Sequence, residues 1–351
     1  MAKKKTSSLL KRQRGITGGS VASNSIGASK RPSSLKPLRA RQLIRRFHIL
    51  LKNKSSIISR LSNLAGVELT ENGYLTKIKG KQLEIYKKHK ADIIENLKVN
   101  KTPDNADIIS QASINDLTAD ILVKKLGEID GEIDKRGGLE TYQVASTLGQ
   151  NSKRGGDSSK KLIEWLRELK LYENGAGKPT ALEIGCLSST NLISTSKIFQ
   201  NVVKIDLNSQ EPGIILKQDF MTMDVPPVPE KFNLISCSLV LNFVPTPKGR
   251  GDMLIRMTKF LTNSTNIKLP SLLFLVLPLP CVSNSRYCDN DQLDKIMTNL
   301  GFEKIKYQEA KKVSYWLWKW NGSEKLNKKF KASKKELHKG GSRNNFCIVV
   351  D

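Results

Sequence analysis

The chain reads as an α/β protein: a doubly wound, mostly parallel sheet closed by an antiparallel hairpin and preceded by a helical N-terminal region. Three observations predict this. From Pro179 onward, short apolar runs alternate with segments of helical period, the pattern of parallel strands covered by helices on both faces. The last two strand-like runs have no helix between them, which predicts an antiparallel closing pair. From about Leu38 to Leu126 the apolar spacing is helical instead.

Residues 1–35 are rich in Ser, Gly and Lys and are expected to be a disordered basic tail. Residues 36–135 form the helical region. Within it, "KGKQLEIYKKHKADIIENLKVN" spaces Leu83, Ile85, Tyr86, Ile93, Ile94 and Leu97 near a helical period. Residues 136–322 make the α/β domain. It opens with "RGGLETYQVASTLGQNSKRGGDSSKKLIEWLREL", dense in Gly, Gln, Ser and Arg. Asp157 or Ser158 can cap a helix whose apolar face is Leu162, Ile163, Trp165 and Leu166. The Gly155–Gly156 pair permits a close backbone approach, and ligand contact and a structural joint both account for it.

The strands follow in order. "TALEIG" is followed by a helix; "VVKIDLN" ends at Asp206; "IILKQDFM" carries Asp219; "FNLISCSLVLNFV" leads into helix "RGDMLIRMTKFL"; and "LLFLVLP" precedes helix "NDQLDKIMTNLGF". Strands "EKIKYQEA" and "VSYWLWKW" close the sheet, and 323–351 is read as a basic C-terminal tail.

Composition agrees with a folded core, with 38% hydrophobic residues in 351. The longest apolar run, "SLLFLVLPLP" (271–280), is strand-sized, and the basic, Ser-rich N-terminus lacks a signal-like apolar region. Five cysteines, Cys186, Cys237, Cys281, Cys288 and Cys347, include no CxxC pair, which fits a soluble protein in a reducing, intracellular compartment. Of the net charge of +26, +16 lies in residues 1–67 and +6 in residues 325–351, which leaves +4 for 68–324. Charge clustered in this way attracts polyanions by counterion release, although nuclear import signals have the same composition. "RARQLIRRFHILLK" (39–52) interleaves Leu, Ile and Phe with arginines, a basic amphipathic helix suited to a nucleic-acid partner, with an anionic membrane surface the competing target.

In doubly wound sheets, ligands bind beyond the carboxyl ends of the strands. Here those ends carry Gly185, Asp206, Asp219–Phe220 and Ser238–Asn242. Gly185 leaves room for a ligand near the backbone. Asp206, 21 residues on, suits a pair of ribose hydroxyls. Asp219 can accept from an adenine amine with Phe220 beside the ring. The loop after Gly185 has Cys186-Leu187-Ser188 where further glycines often stand.

These motifs resemble the class I S-adenosylmethionine-dependent methyltransferases: "LEIGCLSSTN" their first motif, "VKIDLN" the second, "QDFM" the third and "SLVLNFV" the fourth. The resemblance implies a Rossmann-like class I methyltransferase sheet with an antiparallel closing hairpin. More narrowly, "GGLETYQVASTLGQNSKRGGDSSK" and "SLVLNFVPTPKGRGDML" resemble the nucleolar adenine-N1 methyltransferases of large-subunit ribosomal RNA, over roughly Arg136 to Trp320. Metazoan relatives in that family serve as S-adenosylmethionine sensors that bind a signalling protein. The resemblance implies S-adenosyl-L-methionine held by Glu183, Gly185 and Asp206, with Asp219, Phe220 and Ser238 lining the adenosine pocket. It implies a ribosomal RNA partner and a nuclear, nucleolar location.

Arg154 can pair with the methionine carboxylate through its planar fork. Asn242 and Phe243 are the candidates for holding the target base, by hydrogen bonding and stacking. Phe243 packed under the next helix is the plainer alternative. Methyl transfer to N1 needs alignment more than acid–base chemistry, and none of His48, His89 and His338 lies near the motifs in sequence. Lys248, Arg250 and Arg256 are candidates for RNA phosphates, with an Arg250–Asp252 ion pair the alternative for one of them. Cys281, after Pro280, resembles the Pro-Cys nucleophile of cytosine-C5 methyltransferases, a role that needs a lowered thiol pKa.

Overall fold

The computed structural model describes residues 37–70, 73–99, 114–138, 141, 156–172, 179–209, 211–263, 269–322 and 330–351. The expected tail over 1–35 and the Arg154–Gly155 pair lie outside them.

The helical region is built from α1 (Pro37–Ala65), α2 (Tyr74–Lys77), α3 (Lys81–Asn96) and α4 (Ala119–Lys135). Its core joins Phe47, Leu50, Ile57 and Leu61 of α1 to Leu122, Leu126 and Ile129 of α4. The amphipathic stretch read as a nucleic-acid contact therefore finds its apolar partner inside the chain. Arg46, in the middle of that stretch, is buried and donates two 2.7 Å hydrogen bonds to Glu132 of α4. A second buried carboxylate, Asp130, accepts from Lys54 of α1 at 2.7 Å and from the Tyr74 and Tyr86 hydroxyls. Burying these charges demands partners on every side, and the partners come from three different helices.

Helices α3 and α4 touch backbone to backbone. A Cβ on Gly127 would lie 2.5 Å from the Tyr86 carbonyl oxygen, and one on Gly131 would lie 2.7 Å from that of Lys90. Alanine favours a helix over glycine by about 1 kcal/mol, but the contact leaves no room for it. Gly127→Ala is expected to lower stability by ~1–3 kcal/mol through overpacking. Denaturant unfolding checks this, and a variant as stable as the parent refutes the close approach.

The α/β part begins with α5 (Ser159–Glu168) and continues β1 (Thr180–Ile184), α6 (Leu192–Thr195), β2 (Asn201–Asp206), β3 (Leu216–Lys217), β4 (Leu234–Ser238), α7 (Pro247–Phe260), β5 (Ser271–Pro278), α8 (Pro280–Ser283), α9 (Asn290–Asn299), β6 (Phe302–Glu309) and β7 (Val313–Trp320). The seven strands take the order β3-β2-β1-β4-β5-β7-β6. The pairs up to β5 are parallel, whereas β7 runs antiparallel to both β5 and β6. The doubly wound sheet and its closing hairpin are as the alternation predicts. The helix expected after β1 is a single turn, and the strand expected over 214–221 is reduced to two residues.

Side-chain alternation along β5 divides the core. Leu272, Phe274 and Val276 join α5 on one face, and Leu273, Leu275 and Leu277 join α7 and α9 on the other. The second face also receives Ala332, Phe346, Ile348 and Val350. Residues 330–351, expected as a basic tail, are thus docked on the sheet domain in the part described. Four apolar residues anchor what net charge alone marks as a solvated segment.

Candidate active site

Strand order reverses between β1 and β4, the switch point at which such sheets bind ligands. Register places the site. Ile184 is level with Ile205 of β2 and with Cys237 of β4, so one step on, Gly185, Asp206 and Ser238 stand side by side.

Gly185 turns the chain at φ +75°, with its amide donating to Ile205 O at 2.9 Å. A Cβ there would lie 2.4 Å from Val240 Cγ2. The missing side chain therefore also makes room for Val240, from the connection after β4. The following loop is fastened from two sides. The Leu192 amide donates to Asp157 Oδ2 at 2.6 Å and the Ile193 amide to Ser159 Oγ at 2.9 Å. Ser158 and Ser238 share a 2.7 Å hydrogen bond. The Asp157–Ser159 segment is therefore a structural joint, binding the start of α5 to the loops after β1 and β4.

Glu183 sits in the floor of the site, 7% exposed. Asn191 Nδ2 donates to its Oε1 at 2.7 Å, and the Cys186 thiol lies beside the same carboxylate. Oε2 receives no N–H or O–H from any described residue. Burial pushes the carboxyl up to about 7. The buried Cys186 thiol is raised as well, first by desolvation and then by Glu183. Asp206, half-buried at the end of β2, accepts from the Asn208 amide at 2.9 Å, and burial holds its pKa above the ordinary carboxylate value.

Asp219 and Phe220 form a turn after β3. Asp219 Oδ1 accepts from the Met221 amide at 2.8 Å. The Phe220 ring, expected beside an adenine, is buried against Phe260, ring centroids 4.9 Å apart, with the Arg256 guanidinium over it. Its ring belongs to the core, since β3 ends at Lys217 and the turn that follows carries Phe220 against Phe260.

The connection after β4 is strained. Leu239 adopts φ 57°, a conformation that costs an L-residue roughly 1–2 kcal/mol, and its amide donates to Val276 O at 2.9 Å. A single 3-10 turn, Leu241–Phe243, follows. Asn242 Oδ1 is buried there with no hydrogen-bond partner among the described residues. Phe243 is half-buried and meets the edge of His48 from α1, centroids 4.2 Å apart. A histidine thus lies at the fourth motif after all. Helix α1 brings it there across nearly two hundred residues of sequence, a proximity that spacing cannot reveal. Burial, then the charge of Arg250, pushes its pKa down to about 4, so the ring is neutral at pH 7.

The cations assigned to phosphate are largely engaged within the chain. Arg250 is buried, donates to Cys347 O at 2.8 Å and lies over the Phe346 ring. Arg256 donates to the Phe220 and Met223 carbonyls. Lys248 is exposed and pairs with Asp252 and Asp351, so Asp252 has a partner other than Arg250. Cys281 is buried, and desolvation pushes its thiol up to about 12 despite Arg250. That is the opposite of what a nucleophile needs. No helix among the described residues is long and apolar enough to cross a membrane.

A family model described as 25S rRNA (adenine(2142)-N(1))-methyltransferase, Bmt2, matches residues 127–348. A Saccharomyces cerevisiae 25S rRNA (adenine(2142)-N(1))-methyltransferase is 38% identical over 326 residues, covering 90% of this chain and 93% of that protein. A Schizosaccharomyces pombe 25S rRNA adenine-N(1) methyltransferase is 39% identical over 229 residues, 64% of this chain and 82% of that one. Among solved structures, a Burkholderia thailandensis 1,6-didemethyltoxoflavin-N1-methyltransferase with bound S-adenosylhomocysteine aligns at TM-score 0.37 and 10% identity, over 50% of this chain and 86% of that one.

Proposed function

The chain belongs to the Bmt2 family of 25S rRNA (adenine(2142)-N(1))-methyltransferases, and from that membership we propose that it methylates N1 of an adenine in large-subunit ribosomal RNA, using S-adenosyl-L-methionine. The observation that carries the reading is the grouping at the switch point. Gly185, Asp206 and Ser238 stand level there, and the strained turn that follows Ser238 carries Asn242.

The residues present fit the cofactor. Glu183 Oε2 is a buried acceptor lacking an N–H or O–H donor, and an ammonium group supplies one. Asp206, at the next strand end, would hold the ribose hydroxyls with a carboxylate that burial leaves poorly solvated. Asp219 and Ser238 border the adenosine end, while Phe220 supports that wall from the core. Arg154, outside the described residues, is retained as the partner of the methionine carboxylate on its chemistry alone.

When bound, S-adenosyl-L-methionine supplies an electrophilic methyl group on a sulfonium. Adenine N1 already carries an in-plane lone pair, so the chain's task is alignment, not deprotonation. Asn242 Oδ1 accepts from the exocyclic amine and lies near the positive charge that develops on the ring. Phe243 is the stacking partner for the base, with the neutral His48 ring packed against it at right angles. The proposed substrate is large-subunit ribosomal RNA, free or in a pre-ribosomal particle, and the proposed location is the nucleus, within the nucleolus. The basic charge of residues 1–67 supports contact with RNA and has the composition of a nuclear import signal.

Nucleoside mass spectrometry of large-subunit rRNA from cells lacking the protein tests this. 1-Methyladenosine is expected to fall and to return with the wild-type gene. An unchanged level rejects the assignment.

A further inference from the structure

Residues 330–351 are anchored to the connections that leave two adjacent parallel strands. On the β4 side, the Val349 amide donates to Pro247 O at 3.0 Å and Arg250 donates to Cys347 O. A Cβ on Gly251 would lie 1.8 Å from Val349 O. On the β5 side, the Arg286 amide donates to Asn344 O and the Asn344 amide to Asn284 O, both at 3.0 Å, and Ser285 Oγ donates to Phe346 O at 2.6 Å. Ala332 and Val350 pair with each other and close the segment into a loop. Residues 330–351 thus form a strap across the carboxyl edge of the sheet, with one anchor, Pro247, four residues beyond Phe243.

Its outer surface is cationic. Lys331, Lys334, Lys335 and Lys339 are exposed, and none makes an ion pair with a described residue. Lys334 Nζ lies 4.7 Å from the Tyr287 ring centroid. Of the nearby carboxylates, Asp289 lies 2.8 Å from His338 of the strap and Asp351 pairs with Lys248, while Asp291 is exposed in the recess it shares with His338 and Arg343. Glu336 is exposed among the lysines. The one large exposed apolar residue of the strap, Leu337, is only 37% exposed, so the strap offers no apolar wedge for a bilayer.

We infer that this strap is a phosphate-binding surface for the RNA whose adenine enters beside Asn242, a role that rests on the function proposed above. Its lysines lie on the same edge as that site. Phosphate contacts of this kind position a nucleic acid without reading its sequence. The buried Phe346, Ile348 and Val350 hold the cations in place, so binding does not have to order a free tail.

The test uses the full-length protein, a labelled large-subunit rRNA transcript and phosphatidylserine vesicles. Replacing Lys331, Lys334, Lys335 and Lys339 with Ser is expected to weaken RNA binding at least tenfold and to lower the slope of log K against log salt by ~3, at ~0.7–0.9 per phosphate. S-adenosyl-L-methionine affinity should not change. The four Lys→Arg substitutions should retain binding. Gly251→Ala keeps every charge but displaces Val349, and should weaken RNA binding too. Unchanged RNA affinity and salt slope in the Ser variant overturn the inference while leaving the methyltransferase reading intact. Binding to vesicles in place of RNA overturns it as well. Loss of methyl transfer to rRNA by the wild-type protein is a separate result, and rejects the function itself.

Discussion

Asn242→Ala is expected to lower kcat for methyl transfer on the order of 10²-fold, the usual effect of removing one oriented polar group from a charge-developing centre. Affinity for S-adenosyl-L-methionine should be unchanged. The expectation follows from two facts about the turn after β4. Asn242 Oδ1 is buried with no donor among the described residues, an arrangement that costs about 1–3 kcal/mol unless a ligand completes it. Leu239 holds the turn in a left-handed conformation, strain that a purely structural connection has no reason to keep. Truncating the side chain also removes an unsatisfied oxygen, so the folded protein should be no less stable. Single-turnover kinetics with labelled cofactor, run beside thermal unfolding, separates the effects. An undiminished rate removes Asn242 from the base site.

Cofactor binding should strengthen as pH rises toward about 7, by up to about tenfold per unit, since one unit of pKa corresponds to 1.36 kcal/mol. The cause is Glu183. Its carboxyl is raised from the usual 4.5 to about 7 by burial, so below that pH it is protonated and cannot pair with an ammonium. The sign for folding is the reverse. The raised value favours the folded state below pH 4.5, and that advantage is lost as pH climbs through the folded value. The empty protein therefore loses stability over the window in which it gains affinity, and the bound ammonium should offset the loss. Titration calorimetry across pH 5.5 to 7 measures the slope, and Glu183→Gln should flatten it. A flat profile in the wild-type protein rejects Glu183 as the ammonium partner.

Much of the architecture was legible because it rests on period. The even and odd residues of Leu272–Leu277 divide between two faces as alternation requires, and adjacent runs without a helix became β6 and β7. The strand ends were legible for the same reason, which brought Gly185, Asp206 and Ser238 together. What escaped depends on contacts distant in sequence. Gly185 is a glycine partly because Val240 occupies the space above it. His48 reaches Phe243 only because α1 packs on α4 and crosses to the sheet. Arg250 reads as a surface cation until the last residues of the chain cover it. The strap itself was hidden by its charge, since the eight basic residues of 325–351 outweigh the brief apolar pattern "NNFCIVV". In "RARQLIRRFHILLK" the amphipathic helix was correctly read, but its partner is α4.

The most direct measurement is transfer in vitro. Purified protein is incubated with methyl-labelled S-adenosyl-L-methionine and large-subunit rRNA from cells that lack the protein, and the nucleosides are separated. Label is expected in 1-methyladenosine at a single adenine, appearing on the order of 10²-fold more slowly with the Asn242→Ala change. Label in 5-methylcytosine, or tight cofactor binding with no label in RNA, would contradict it.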